Sequence, residues 1–444
     1  MLEKGSGSDI IPLGRSMLKW KWIKYGLVFL LIIFIASHAQ AEKVPLAQVI
    51  KEALDSNSEV LAARSKWESA REKIPQMLSL DDPKIGLEYE QIPSGSRNLA
   101  DGMKMYTAKQ MILFPGKIYA EWQMAKAEAS RQEANYKAEV LEISSQVKFA
   151  YYDLFYADRA IETMVEIKNF LPRIKKFAET KYVVGDAGQA DVLMANIEDL
   201  MADNELLTMQ QERPVKQAML KALLNRDDEI MMETEAVLIL PGTIEAGEEL
   251  EKAALQGRPE LLAMKAELEA KDSAHLRSKM EYLPDTMLKV KKRVADGWDA
   301  MFSFSVPLYF WKQSYGVSSV GLEREAAEAS YTNMKNMTVW MIKESLVMAD
   351  AARRTTKLYE DKIVPQSAQA LKAALTAYQS GKVDFQTLLN IERTYKEAKL
   401  KLYGSQVNYG KALAELERIV GKPLDKSLDP EIFGIEGLGV KELN

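Results

Sequence analysis

One pattern occurs twice in this chain and constrains its fold more than any other. The first copy is Tyr182-Val-Val-Gly185-Asp186-Ala-Gly188-Gln-Ala-Asp191-Val-Leu193, and the second is Tyr378-Gln-Ser-Gly381-Lys382-Val-Asp384-Phe-Gln-Thr387-Leu-Leu389. Each sits between two long glycine-free runs rich in Ala, Glu and Lys. Glycine after a periodic run stops a helix, and Asp or Thr before the next run starts one. Both copies therefore read as tight turns at the tips of long antiparallel helical hairpins.

The run before the first tip, from Lys117 to about Lys181, carries Val140, Ile143, Val147, Ala150, Leu154, Ala157, Ile161 and Met164 on one stripe. This alternating three-four spacing is a coiled-coil seam. Val339, Ile342, Leu346 and Ala349 repeat it. A helix of about 65 residues is on the order of 100 Å long, too long for a compact domain. Pro172 and Pro365 lie at corresponding places before the tips and are expected to bend these helices rather than end them.

The duplication extends beyond the tips. Short helices over Val44–Asn57 and Ser58–Gln76 recur near Gly247–Leu255 and from Arg258, with Glu59 and Glu260 in register at an offset of 201. Leu113 and Leu308 match at 195, and the tip glycines at 196. A near-constant offset of this size marks an internal duplication too long to be a solenoid repeat. We divide the chain into a leader (1–41), a first repeat (42–240), a second repeat (241–421) and an irregular tail (422–444).

Before each long helix lies an alternating segment. Ile85, Leu87 and Tyr89 alternate with Lys84, Gly86, Glu88 and Glu90, and Leu288 and Val290 with Lys289, Lys291 and Arg293. Phe302, Phe304, Val306 and Leu308 alternate with Met301, Ser303 and Ser305, and Met103–Phe114 is strand-like. Such runs fit either transmembrane β-barrel strands or a soluble half-buried sheet. In the membrane reading 93–102 and 295–299 are outward-facing loops. Lys84, Glu88, Glu90, Lys289, Lys291, Ser303 and Ser305 then face the barrel lumen. Four strands cannot close a barrel, so that reading requires oligomerisation.

Export is also legible. Lys19, Lys21 and Lys24 precede the apolar stretch Gly26–Ala36 and then Ala39-Gln-Ala41, the pattern of a signal peptide cut before Glu42, with Met17 as an alternative start. The whole chain carries −5 and the leader +3, leaving −8, which argues against nucleic acid as a partner. Cysteine is absent, which excludes disulfides and thiolate metal sites.

These features together resemble the outer membrane efflux protein (TolC) family, most closely its heavy-metal efflux branch. The resemblance rests on the two Tyr-x-x-Gly tips, Phe114-Pro-Gly-Lys117, Arg258-Pro-Glu-Leu261, Leu283-Pro284-Asp285 and Leu416-Glu-Arg418-Ile-Val-Gly421. It implies a mainly α fold with transmembrane β: duplicated long hairpins forming a periplasmic barrel, and four strands per chain in a trimeric twelve-stranded outer-membrane β-barrel. It further implies that the tips, at Tyr182, Val184, Gly185, Asp186, Gly188, Tyr378, Ser380, Gly381 and Lys382, dock on a periplasmic adaptor protein. The adaptor would connect them to an inner-membrane transporter of the resistance-nodulation-division type. The family's acidic gate positions fall on Thr387 and Asn390, with Asp384 one turn early, which puts an acidic gate in doubt here.

Enzymatic chemistry has no candidate. His38 leaves with the leader, His275 alone on a charged helix reads as a surface residue, and phosphate loops and nucleophile arrangements are lacking. No cofactor is implied. The 22 methionines sit mainly at core spacing or in strands and read as packing residues, with thioether coordination of Cu(I) as the alternative. The expected function is an outer-membrane exit duct of a tripartite efflux pump for metal ions or small toxic compounds. A type I protein secretion duct and a soluble periplasmic coiled-coil scaffold are the alternatives.

Overall fold

The computed structural model describes residues 42–424 apart from 243, 245, 246, 295 and 296, so the expected signal peptide and most of the tail lie outside the described residues. The chain runs β1 (Glu42–Lys43), α1 (Leu46–Ser56), α2 (Ser58–Gln76), β2 (Lys84–Glu90), β3 (Met103–Ile112), α3 (Pro115–Val183) and α4 (Gln189–Leu223). It continues with β4 (Met232–Glu233), α5 (Gly247–Gly257), α6 (Pro259–Lys279), β5 (Asp285–Arg293), β6 (Trp298–Ser305), α7 (Phe310–Leu358), α8 (Val364–Gln379) and α9 (Phe385–Val420). Two short helices, two strands, a long helix and a returning helix thus occur twice in the same order.

At 69 residues, α3 spans roughly 100 Å. Pro115 opens it, where a missing N–H costs nothing, and Pro172 lies within it without ending it. The second repeat handles its proline differently. There the α-helical ladder gives way to a π-turn over Tyr359–Ile363, and Pro365 falls in the first turn of α8. Widening the turn there removes the clash between the proline ring and the carbonyl one turn back.

Two of the hydrophobic cores lie along α3. Nearer the sheet, Val140, Ile143, Val147, Leu154 and Phe155 of α3 pack on Val49 and Ile50 of α1 and Leu220 of α4. Nearer the tips, Met164, Ile167, Leu171 and Ile174 of α3 meet Ala195 and Ala202 of α4, Leu371 of α8, and Phe385, Leu388 and Leu389 of α9. The predicted seam is mostly buried, although Ala157 and Ile161 are only half-buried while Ala160 is buried between them. In the second repeat Ile342 and Ala349 are buried, and Val339 and Leu346 are half-buried.

The strands form one antiparallel sheet in the order β2-β3-β5-β6, so the two repeats join through β3 and β5. The last strand is shorter than its alternation predicts. It ends at Ser305, leaving Val306 and Leu308 outside, because Pro307 has no N–H for the ladder. At its other end Trp298 and Asp299, expected in a loop, belong to β6, and Asp299 binds Arg293 at 2.7 Å. No helix among the described residues is long and apolar enough to cross a membrane.

Candidate functional site

Both tips close with the same backbone device. Gly185 N–H donates to the Tyr182 carbonyl (3.1 Å), and Asp186 N–H to that of Lys181 (2.8 Å). In the second tip Gly381 donates to Tyr378 (3.2 Å) and Lys382 to Ala377 (2.9 Å). This is the Schellman arrangement, which needs a left-handed residue just past the helix. Gly185 and Gly381 supply it with φ of +81° and +72°. Gly188 caps α4, and Val183 and Val184 at the first tip are exposed.

The two tyrosines, equivalent in sequence, are not equivalent in space. Tyr182 is half exposed, whereas Tyr378 is 2% exposed. The Tyr378 ring stands edge-on to Phe385 (5.7 Å), with the Lys181 ammonium 4.6 Å above it. Its hydroxyl is buried without a hydrogen-bond partner, and burial pushes the phenol up to about 12. Tyr378 therefore locks the two hairpins together and does not present its ring to a partner.

At the start of α9 the expected gate residues serve as helix caps and surface groups. Asp384 is the N-cap and accepts from Thr387 N–H at 2.7 Å. Hydrogen bonds from Thr387 hold its carboxyl below the usual range. Asn390 accepts from Gln386 at 3.0 Å. The unusual carboxylate lies farther along the helix and was missed by sequence reasoning. Glu392 is fully buried, and neither of its oxygens has a hydrogen-bond partner. Burial raises it from 4.5 to about 7, and Glu198 and Glu205 push the same way, whereas Lys396 and Arg393 oppose them. Those cations are engaged across the helix pair: Arg393 with Glu198, and Lys396 with Glu205 at 3.0 Å.

The sheet separates its side chains sharply. Register places Lys84, Glu88, Glu90, Lys289, Lys291, Ser303 and Ser305 on one face, joined there by Lys109 and Asp299. Glu88 binds Lys289 (3.0 Å) and Lys291 (3.3 Å), and Glu90 also pairs with Lys291. The opposite face carries Ile85, Leu87, Tyr106, Val290, Phe302 and Phe304, all exposed. Its two lysines, Lys104 and Lys292, lie at the loop ends of their strands over the rings of Tyr106 and Trp298. An apolar face turned outward, with cations only at its rim, matches a lipid-facing wall.

Comparison with known proteins agrees with this geometry. Residues 49–226 match the family model described as outer membrane efflux protein. The match lies within the first of the two repeats read from the sequence. Across 389 residues the chain is 21% identical to the cobalt-zinc-cadmium resistance protein CzcC of Cupriavidus metallidurans, covering 86% of this chain and 91% of that protein. The fold is similar to that of a membrane protein from Pseudomonas aeruginosa, with a TM-score of 0.74 at 17% identity over 86% of this chain and 91% of the other. It is also similar to CusC, studied for its transmembrane channel formation, with a TM-score of 0.73 at 14% identity over 85% and 92% of the two chains.

The two ends of the matched segment are tied together. Arg226 pairs with Glu52, Asn57 donates to the Leu223 carbonyl (3.0 Å), and Ser56 to that of Leu224 (2.7 Å). Two motifs read separately in the sequence meet where sheet becomes helix. Lys117 Nζ lies 2.8 Å from Asp285 Oδ2, and Asp285 Oδ1 accepts from Phe114 N–H at 2.9 Å. Gly116 beside them lets Met280 approach; a Cβ there would lie 2.6 Å from the Met280 sulfur. Arg258 is likewise buried, donating to Thr338 (2.8 Å) near the left-handed Gly421 that ends α9. His275, expected at the surface, is instead half-buried, with Nδ1 buried and unpaired and its ring against Gly321. The described residues hold no group of three or more His, Asp or Glu placed to bind a metal ion.

Proposed function

We propose that this protein is one protomer of an outer-membrane exit duct in a tripartite efflux pump. The observation that carries the reading is the sheet. Its apolar face is exposed, its charged face pairs Glu88 and Glu90 with Lys289 and Lys291, and among the described residues neither β2 nor β6 has a neighbour on its outer edge. A lipid-exposed open edge leaves backbone groups unsatisfied at several kcal/mol each, so the sheet must close against further copies. Three copies give twelve strands, which supports the expected trimer. The charged face then lines the lumen, and the long hairpins extend into the periplasm as a tunnel.

In this arrangement conduction is passive, with energy supplied by the inner-membrane transporter. The tips reach the periplasmic adaptor, which links them to an inner-membrane transporter of the resistance-nodulation-division type. The accessible tip surface is Tyr182, Val184, Gly185, Asp186 and Gly188 on one hairpin and Ser380, Gly381 and Lys382 on the other. Tyr378 supports that surface from below. Asp384, Thr387 and Asn390 hold the start of α9, the helix assigned to the gate. The ion pairs from α9 to Glu198 and Glu205 restrain its movement. Similarity to CzcC supports metal ions as the exported class.

The test is extraction and conductance. The mature protein, expressed with its leader in a Gram-negative host, should fractionate with the outer membrane and require detergent. It should have three chain masses and open ion-conducting channels in planar bilayers. A water-soluble periplasmic monomer or dimer would overturn the duct and favour a coiled-coil scaffold.

A further inference from the structure

The methionines of the sheet are distributed in a way that packing does not explain. Met103, Met105, Met111, Met287 and Met301 are all the methionines of the four strands, and register puts every one on the charged face. The apolar face, where a thioether would be at home beside Phe302, Phe304 and Leu288, has none. Three of the five run across adjacent strands, with Met287 between the other two. Met111 of β3 and Met287 of β5 are direct cross-strand partners. Met287 faces Ser303 of β6, two residues from Met301, so Met301 is its diagonal neighbour. Direct partners on one face have Cβ atoms about 5 Å apart and diagonal ones about 7–8 Å, within reach of flexible methionine side chains. Met111 and Met301 are 44% and 51% exposed, so their sulfurs are not committed to a core.

We infer that Met111, Met287 and Met301 form a thioether site for a soft monovalent cation, Cu(I) or Ag(I), on the inner wall of the sheet next to the helical tunnel. The inference rests on the duct reading, which makes this face the lumen. Thioether sulfur is a neutral, soft donor that suits Cu(I) and gives hard divalent ions little. The surrounding ammonium groups repel a divalent cation about twice as strongly as a monovalent one. Lys289 lies opposite both Met301 and Lys109, and the carboxylate in the Met287 column, Asp285, is taken by Lys117. A hard divalent cation would meet ammonium groups with no free carboxylate in the triad. Neutral ligands also bind weakly enough for release, as a conducting path requires.

The test uses the full-length mature trimer in detergent, titrated with silver nitrate in chloride-free buffer and compared with the M111L/M287L/M301L variant. Leucine preserves volume and apolarity while removing sulfur. A control variant, M201L/M219L/M231L, removes three exposed methionines outside the sheet. The expected result is that the sheet variant loses about one bound Ag(I) per chain, with loss of sulfur scattering in the silver absorption spectrum, while the control keeps both. Zn(II) binding should be the same in all three proteins. Equal silver binding by wild type and sheet variant would overturn the site. If the triple variant does not assemble, M287L alone gives the same comparison. Potassium conductance of the wild-type trimer, measured without silver, tests the duct separately: a conducting trimer with no sheet-dependent silver binding loses the site and keeps the duct.

Discussion

Replacing Glu392 with glutamine should remove a pH dependence that wild type carries in its hairpin core. The carboxyl is fully buried with both oxygens unpaired, and burial lifts it from 4.5 to about 7. When the helix pair opens, the group returns to water and to its ordinary value. Between these two values the closed form holds a proton that the open form has released. Stability therefore falls as pH rises through this window, is highest below 4.5, and reaches its floor above about 7. The full difference is about 3 kcal/mol, on the order of a hundredfold in the opening equilibrium. Glutamine leaves a polar group buried in the same place, which costs a constant amount at every pH, so the slope and not the absolute stability is diagnostic. The assay is amide hydrogen exchange over the first half of α9, at several pH values from about 4.5 to about 8, with wild-type and E392Q proteins side by side. The ratio of their exchange rates cancels the intrinsic pH dependence of exchange. That ratio should climb by about two orders of magnitude toward the alkaline end. A flat ratio would refute the reasoning, since it would mean that Arg393 or Lys396 turns from its α4 partner to meet the carboxylate.

Lys117→Met should destabilise the protein by about 3 kcal/mol, because it leaves Asp285 charged and half-enclosed at the sheet–helix junction. A double-mutant cycle with Asp285→Asn, read by denaturant unfolding, should show strong coupling. Gly185→Ala should cost about 1–2 kcal/mol, although the space around it is empty, since its φ of +81° strains any residue with a Cβ. Bulk at that glycine is thus a poor probe of docking, whereas Lys382→Glu should weaken adaptor binding in a pull-down without changing thermal stability. Tyr378→Phe should be neutral or slightly stabilising because the lost hydroxyl has no partner, and Tyr378→Ala should cost about 3–5 kcal/mol in the same unfolding assay.

What was legible in the sequence depended on how local the deciding physics was. The tips were readable because a Schellman turn is settled within a few residues, and Tyr-x-x-Gly places glycine where φ must be positive. The sheet faces were readable because a period of two fixes which side chains share a face, whatever lies beyond them. Tyr378 was not readable in this way. Its motif matches that of Tyr182, but α9 opens with Phe385 where α4 opens with Gln189, and only the first of these gives the ring a partner.

Glu392 shows the same limit more sharply. In sequence it is one charge among Glu392, Arg393, Lys396 and Glu397, and it reads as part of a solvated helix face. Its burial follows from its register with the core positions before it. Phe385, Leu388 and Leu389 set a stripe toward α3 and α8, and Glu392 falls on the next turn of that stripe. The heptad predicts an apolar residue there, and the sequence supplies a carboxylate. A charge on a seam is a local rule broken, and in a folded protein such breaks concentrate where stability has been traded for function. The methionines on the charged face of the sheet break the complementary rule, being apolar residues at polar positions. In the duct reading one exception lies inside the helix that carries the gate positions, and the other on the lumen face of the sheet beside the tunnel. If either substitution, E392Q or M287L, leaves its own readout unchanged, that exception is packing tolerance and the coincidence of location carries no meaning.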